Sequence, residues 1–134
     1  MTASAYFSYS STGVASTCDQ SKAQRALAEL SRANDWGLLH VFYSEYSSCD
    51  DGGLADDLTE RVVRLFNTHW SELHSLSAVT QKDQKFLKFV LSHIDSTADT
   101  ADLSKLYKSA KQNCPANTAL LCRQISDAAK KALN

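Results

Sequence analysis

The sequence predicts an all-α protein: a single-domain bundle of about six short antiparallel helices stapled by disulfides. Three observations carry that expectation. Leucine and alanine dominate the apolar set, while the β-branched residues valine and isoleucine are few; Leu and Ala lose little freedom on entering a helix. Apolar residues recur at three- and four-residue spacing along most of the chain beyond residue 20, the period of a helix with one buried face. Four cysteines in 134 residues form an even set, as expected for a small chain in an oxidising compartment. Only 4 glycines and 1 proline exclude a turn-dense all-β chain.

The elements follow in order. Residues 1–20 lack a helical period and read as an N-terminal arm or a processed leader remnant; residues 21–134 read as the helical domain. Met1 is the only methionine, which suits an initiator added to a mature exported chain. Helix one is expected from Ser21 to Ala33, with Ala23, Ala26, Leu27 and Leu30 on its apolar stripe. Asn34 is the expected N-cap of helix two, which runs to Tyr46 and buries Trp36, Leu39, Phe42, Tyr43 and Tyr46, with Leu38 widening the face. Helix three is expected to be the longest, from Leu54 to Ser77, along Leu58, Val62, Leu65, His69, Leu73 and Leu76. Helix four is expected to start at Thr80, with Asp83 three residues on as a variant capping box. Helix five follows Asp99-Thr100 and stops by Asn113, because Cys114-Pro115 cannot continue a helix. Helix six starts near Asn117 and presents Leu121, Ile125, Ala128 and Ala132.

Charge and hydropathy exclude two classes of function. A net charge of -1 argues against a nucleic-acid partner, and the lack of an eighteen-residue apolar run argues against membrane insertion.

Cys18, Cys49, Cys114 and Cys122 allow three pairings, and the sequence does not choose among them. Cys114 and Cys122 are close enough for a local bridge across an inter-helix turn. That pairing would leave Cys18 with Cys49 and pin the arm to the body.

The segment Ser47-Ser48-Cys49-Asp50-Asp51-Gly52-Gly53 breaks the helical pattern and is the strongest candidate for a binding site. Its glycines free the backbone, and acids ahead of a helix complement the positive helix end. As a calcium loop it fails: with Asp50 first, Gly52, Leu54 and Arg61 occupy ligand positions three, five and twelve. Ser47, Ser48, Asp50, Asp51, Gly52 and Gly53 therefore read as a partner-docking loop on a rigid scaffold.

No catalytic, metal or cofactor site emerges. His69 and His74 are five apart and no HExxH is present, so zinc-protease chemistry has no ligand pair. The cysteines lack the CxxC spacing of structural zinc sites. His69 and His93 fall on apolar stripes and read as core histidines. Cys49 ahead of a helix could act as a nucleophile with a histidine base, but the even cysteine count opposes it. His93 and Asp95 form a His-x-Asp pair that reads first as a helix terminus. Trp36, Phe42, Tyr43, Tyr46 and Trp70 read as core.

The Cys49-Asp50-Asp51-Gly52 loop, the Ser92-His93-Ile94-Asp95 helix end and the Cys114-Pro115…Cys122 turn resemble those of small exported helical proteins of Gram-negative bacteria. The nearest functional class is the periplasmic immunity proteins of type VI secretion amidase effectors. The resemblance is one of type, over roughly residues 20 to 130, and no functional residue is carried over. It implies a periplasmic or secreted, non-enzymatic inhibitor that plugs the active site of a peptidoglycan-cleaving toxin. The second reading is a self-associating structural or stress protein of the envelope, a homodimer included. The third is a Cys- or metal-dependent hydrolase.

Overall fold

The computed structural model describes residues 17–134. Among the described residues the chain forms seven α-helices and two short 3-10 turns, with no strand. The helices are α1 (Gln20–Leu30), α2 (Trp36–Tyr46), α3 (Gly52–Thr68), α4 (Leu73–Lys82), α5 (Gln84–Ser92), α6 (Thr100–Gln112) and α7 (Ala119–Leu133). The turns are Ser47–Cys49, between α2 and α3, and Trp70–Glu72, between α3 and α4. Most of the arm expected over residues 1–20 lies outside the described residues; of the rest, Asp19 caps α1 by accepting from the Lys22 amide at 2.7 Å.

All seven helices contribute to one apolar cluster. α1 sits on α2 and α3, α2 packs on α4, α3 on α6, and α5 on α7. α6 and α7 form the closest helix pair, an antiparallel hairpin clamped by the Cys114–Cys122 disulfide. Trp36 and Phe66 meet at 4.6 Å in a tilted pair between α2 and α3. Leu39, Leu58, Leu76, Phe86, Leu106 and Ile125 are completely buried. Each such side chain contributes about 1.5–3 kcal/mol through removal from water.

The all-α, disulfide-stapled architecture matches the sequence expectation, and several details differ. The expected single helix over 54–77 is two. α3 ends at His69, whose φ of -121° and ψ of 31° leave the helical region. The Thr68 hydroxyl donates back to the Arg64 carbonyl at 2.8 Å, a bond that competes with the last helical turn. Trp70 then donates its indole N–H to the Asn113 carbonyl at 2.8 Å, fixing the chain against the end of α6. His69 consequently sits half-buried at the break, bonded to Thr68 at 2.9 Å, and is no core histidine.

Helix four starts later than expected: Thr80 is buried inside α4, and Asp83 itself caps α5 by accepting from the Phe86 amide at 3.1 Å. Asp35 rather than Asn34 caps α2, accepting from Leu38 at 2.8 Å. Leu27 and Leu38, expected on buried stripes, are 51% and 47% exposed. In each helix, the apolar face is wider than the neighbouring helices cover.

Candidate functional site

The segment after α2 is shaped by three local facts. The Asp50 amide donates to the Ser47 carbonyl at 3.2 Å and the Asp51 amide to the Cys49 carbonyl at 2.8 Å, which tightens the chain into a 3-10 turn. Gly52 has φ +56°, a left-handed conformation that glycine adopts without a Cβ clash. Asp51 stands at the N-cap of α3 without a side-chain bond to the helix, so its carboxylate stays in solvent by the positive helix end.

Two tethers hold this turn to the body. Cys49 is buried and bridges to Cys18, with Cα atoms 5.1 Å apart. Asp50 turns inward, and its Oδ2 meets Nε2 of His93 at 2.8 Å; the two side chains are 25% and 6% exposed. The Nδ1 of His93 lies 2.8 Å from the Thr59 hydroxyl on α3, which donates in turn to Oδ2 of Asp95 at 3.0 Å. Oδ1 of Asp95 accepts from the amide and the hydroxyl of Thr97, at 2.9 and 2.6 Å. Burial pushes the Asp95 carboxyl up, but the bonds from Thr97 and Thr59 and the charge of His93 outweigh it and hold it below the usual carboxylate range. The Phe89 ring closes over His93 edge-on at 5.0 Å.

The six residues expected to dock a partner thus divide. Ser47, Ser48, Asp51, Gly52 and Gly53 are exposed, whereas Asp50 is withdrawn into the network beneath them. Ser48 also accepts from the Lys22 ammonium at 3.4 Å. The acidic character continues along α3, where Asp56 and Asp57 are exposed and border a cavity of about 500 Å³ between α3 and α6. Asp99 and Asp102 line its far wall, with Arg64 and Lys105 as the bases.

His93 is a core histidine, as its position on an apolar stripe predicts, and Asp95 is its neighbour in the network. Thr59 escaped the sequence reading. Its signal was a lone hydroxyl on the buried face of α3, between Leu58 and Val62. His40 pairs with Asp83 at 2.9 Å, and His74 bonds the Ala116 carbonyl at 2.8 Å. The His40 bond, followed by the Phe86 amide, holds the Asp83 carboxyl below its usual range. Burial, with the nearby Asp83 charge, pushes the Tyr43 hydroxyl up.

The Asp50–His93–Thr59 alignment has the members of a nucleophile–base–acid chain but the opposite polarity. Thr59 is 2% exposed, and its only hydroxyl proton goes to Asp95 rather than to the imidazole. All four cysteines are in disulfides, so Cys49 holds no thiolate. Among the described residues no group of three His, Cys, Asp or Glu side chains is arranged to hold a metal ion, and no helix is long and apolar enough to cross a membrane.

The fold and site together define a disulfide-stapled helical bundle with a doubly tethered acidic turn. Compared with protein families, curated proteins and solved structures, the chain matches none.

Proposed function

We propose that this chain is an exported, non-enzymatic protein-binding protein that presents residues 47–53 to a protein partner. One observation carries the reading: Ser47, Ser48 and Asp51, with Gly52 and Gly53 at the start of α3, stand exposed on a segment fixed by the Cys18–Cys49 disulfide and by the Asp50–His93 bond. A recognition loop held in shape before contact loses little conformational freedom on binding. Two disulfides suit an oxidising compartment, and the periplasm is the compartment we favour.

Within that reading the chain acts as an immunity protein, filling the active-site cleft of a peptidoglycan-cleaving amidase. Exposed Asp51 can form charge-assisted hydrogen bonds to a cleft histidine or arginine. The test is cleavage of isolated sacculi by amidase toxins of the source organism, with the chain added in excess. Stoichiometric inhibition is expected, together with its loss on the double substitution Asp51→Lys and Gly53→Trp. Both sites are exposed, and a Cβ at Gly53 would meet nothing within 4 Å, so the fold tolerates the pair. Undiminished cleavage by every amidase would overturn the immunity reading. Equal affinity of the double variant in calorimetry would remove the turn from it.

A second reading is favoured by a different surface. Leu38 and Val41 on α2 are 47% and 58% exposed, an apolar ridge of the kind that binds another copy of a self-associating envelope protein. Concentration-dependent gel filtration separates the two: a monomer at all concentrations discards self-association.

A further inference from the structure

α2 is apolar on almost every side. Trp36, Leu39, Phe42 and Tyr46 enter the core, and Tyr43 lies against the rings of Phe86 and Phe89 on α5. A helix packed in this way is expected to be polar on the side that remains. α2 instead turns Leu38 and Val41 to solvent, three residues apart and therefore neighbours on one ridge. Among the described residues the other exposed large apolar side chains, Leu27, Leu120 and Leu133, stand singly and need no explanation. Beside the ridge a groove of about 140 Å³ opens between α1 and α2, with buried Ala33 and Phe42 in its floor.

The two ends of this groove carry opposite charges. Arg32, in the link that leads into α2, lies at the Leu38 end. Glu45 lies seven residues beyond Leu38 on α2, a rise of about 10 Å. Arg32 bonds Glu29 at 3.1 Å, but both side chains are exposed, the pair is worth little, and guanidinium donors remain for a further carboxylate. Glu45 is exposed and has no ion pair among the described residues. A partner face of one charge sign would meet a like charge at one end. A second copy turned about a two-fold axis through Val41 would not: each Arg32 then comes against Glu45 of the other copy. The same axis sets Leu38 against Ser44 of the other copy, because both stand three residues from Val41. Bulk thus meets a small side chain, and the Ser44 hydroxyl already donates to the His40 carbonyl at 3.1 Å, so it brings no unpaired donor into the contact.

We propose that the α1–α2 face forms a two-fold dimer, in which α2 of each copy lies antiparallel on α2 of the other and Arg32 pairs with Glu45 at both ends. The proposal rests on the self-association reading and gives it a partner and a geometry; it does not involve the 47–53 segment. α2 is 11 residues, about 16 Å, long. The buried area therefore falls below that of a permanent dimer, and the association is reversible, in the micromolar range or weaker.

Sedimentation equilibrium of the intact chain over a wide range of concentration tests it, with a monomer–dimer equilibrium as the expected result. Val41→Glu, at an exposed position, is expected to raise the dissociation constant about a hundredfold, because it sets two carboxylates face to face at the axis. Arg32→Glu and Glu45→Arg are each expected to raise it about tenfold, and the two together to return it to that of the unsubstituted chain. A chain that stays monomeric up to millimolar concentration overturns the proposal together with the self-association reading. A dimer weakened by Val41→Glu but not restored by the double charge reversal keeps self-association through α2 and overturns the two-fold pairing. A dimer indifferent to Val41→Glu places the contact elsewhere and overturns the proposal as well.

Discussion

His93 and Asp50 are 43 residues apart in sequence and 2.8 Å apart in space, and their bond joins the end of α5 to the turn that precedes α3. Breaking it from the His93 side leaves Asp50 half-buried without its donor and Thr59 with an unpaired oxygen. His93→Leu is therefore expected to destabilise the fold by about 2–3 kcal/mol, discounted from a fully buried pair because Asp50 retains some solvent. Urea unfolding at neutral pH measures it; a loss under half a kcal/mol, roughly the scale of a surface change, would mean the network carries no stability.

The two disulfides should differ in worth. Cys18–Cys49 closes a loop of 31 residues and Cys114–Cys122 one of 8. In the chain-entropy description these separations correspond to about 3.7 and about 2.5 kcal/mol. The Cys18→Ser/Cys49→Ser pair should thus lower the denaturation midpoint more than Cys114→Ser/Cys122→Ser. The reverse order in matched melts would show that the α6–α7 clamp is the stronger staple.

Asp95 makes stability depend on acid. Its folded carboxyl lies below the usual range, so the stabilisation is present above the unfolded-state pKa and is lost as pH falls through the lower folded one. Asp95→Asn is expected to flatten the acid side of the stability profile and leave the alkaline side unchanged. Unfolding free energies across the acidic range check this; identical acid limbs would contradict it.

Adjacent leucines on α2 should behave very differently. Leu39 is fully buried and Leu38 is 47% exposed. Leu39→Ala is expected to cost about 2–5 kcal/mol through lost burial and a residual cavity, and Leu38→Ala within about 0.5 kcal/mol of zero. Comparable costs in denaturant titrations would place the helix in a different register.

Much of the architecture was written in short-range pattern. Leucine and alanine content, apolar spacing and Cys114-Pro115 determined an all-α chain with its last two helices split where they are, because propensity and periodicity act over a few residues. The even cysteine count determined that staples exist, but pairing needed the two ends of a 31-residue loop in space. The break at His69 was hidden because the apolar stripe continues in phase across it; the Trp70 bond to Asn113, just past the end of α6, fixes where the chain bends. The same holds at the site. Composition marked 47–53 as unusual, yet the inward turn of Asp50 follows from His93, 43 residues along the chain and itself bonded to Thr59 on α3. Local sequence fixes which backbone conformations are cheap. Which polar groups must find one another is decided only when packing removes water and leaves each buried donor and acceptor in need of a partner.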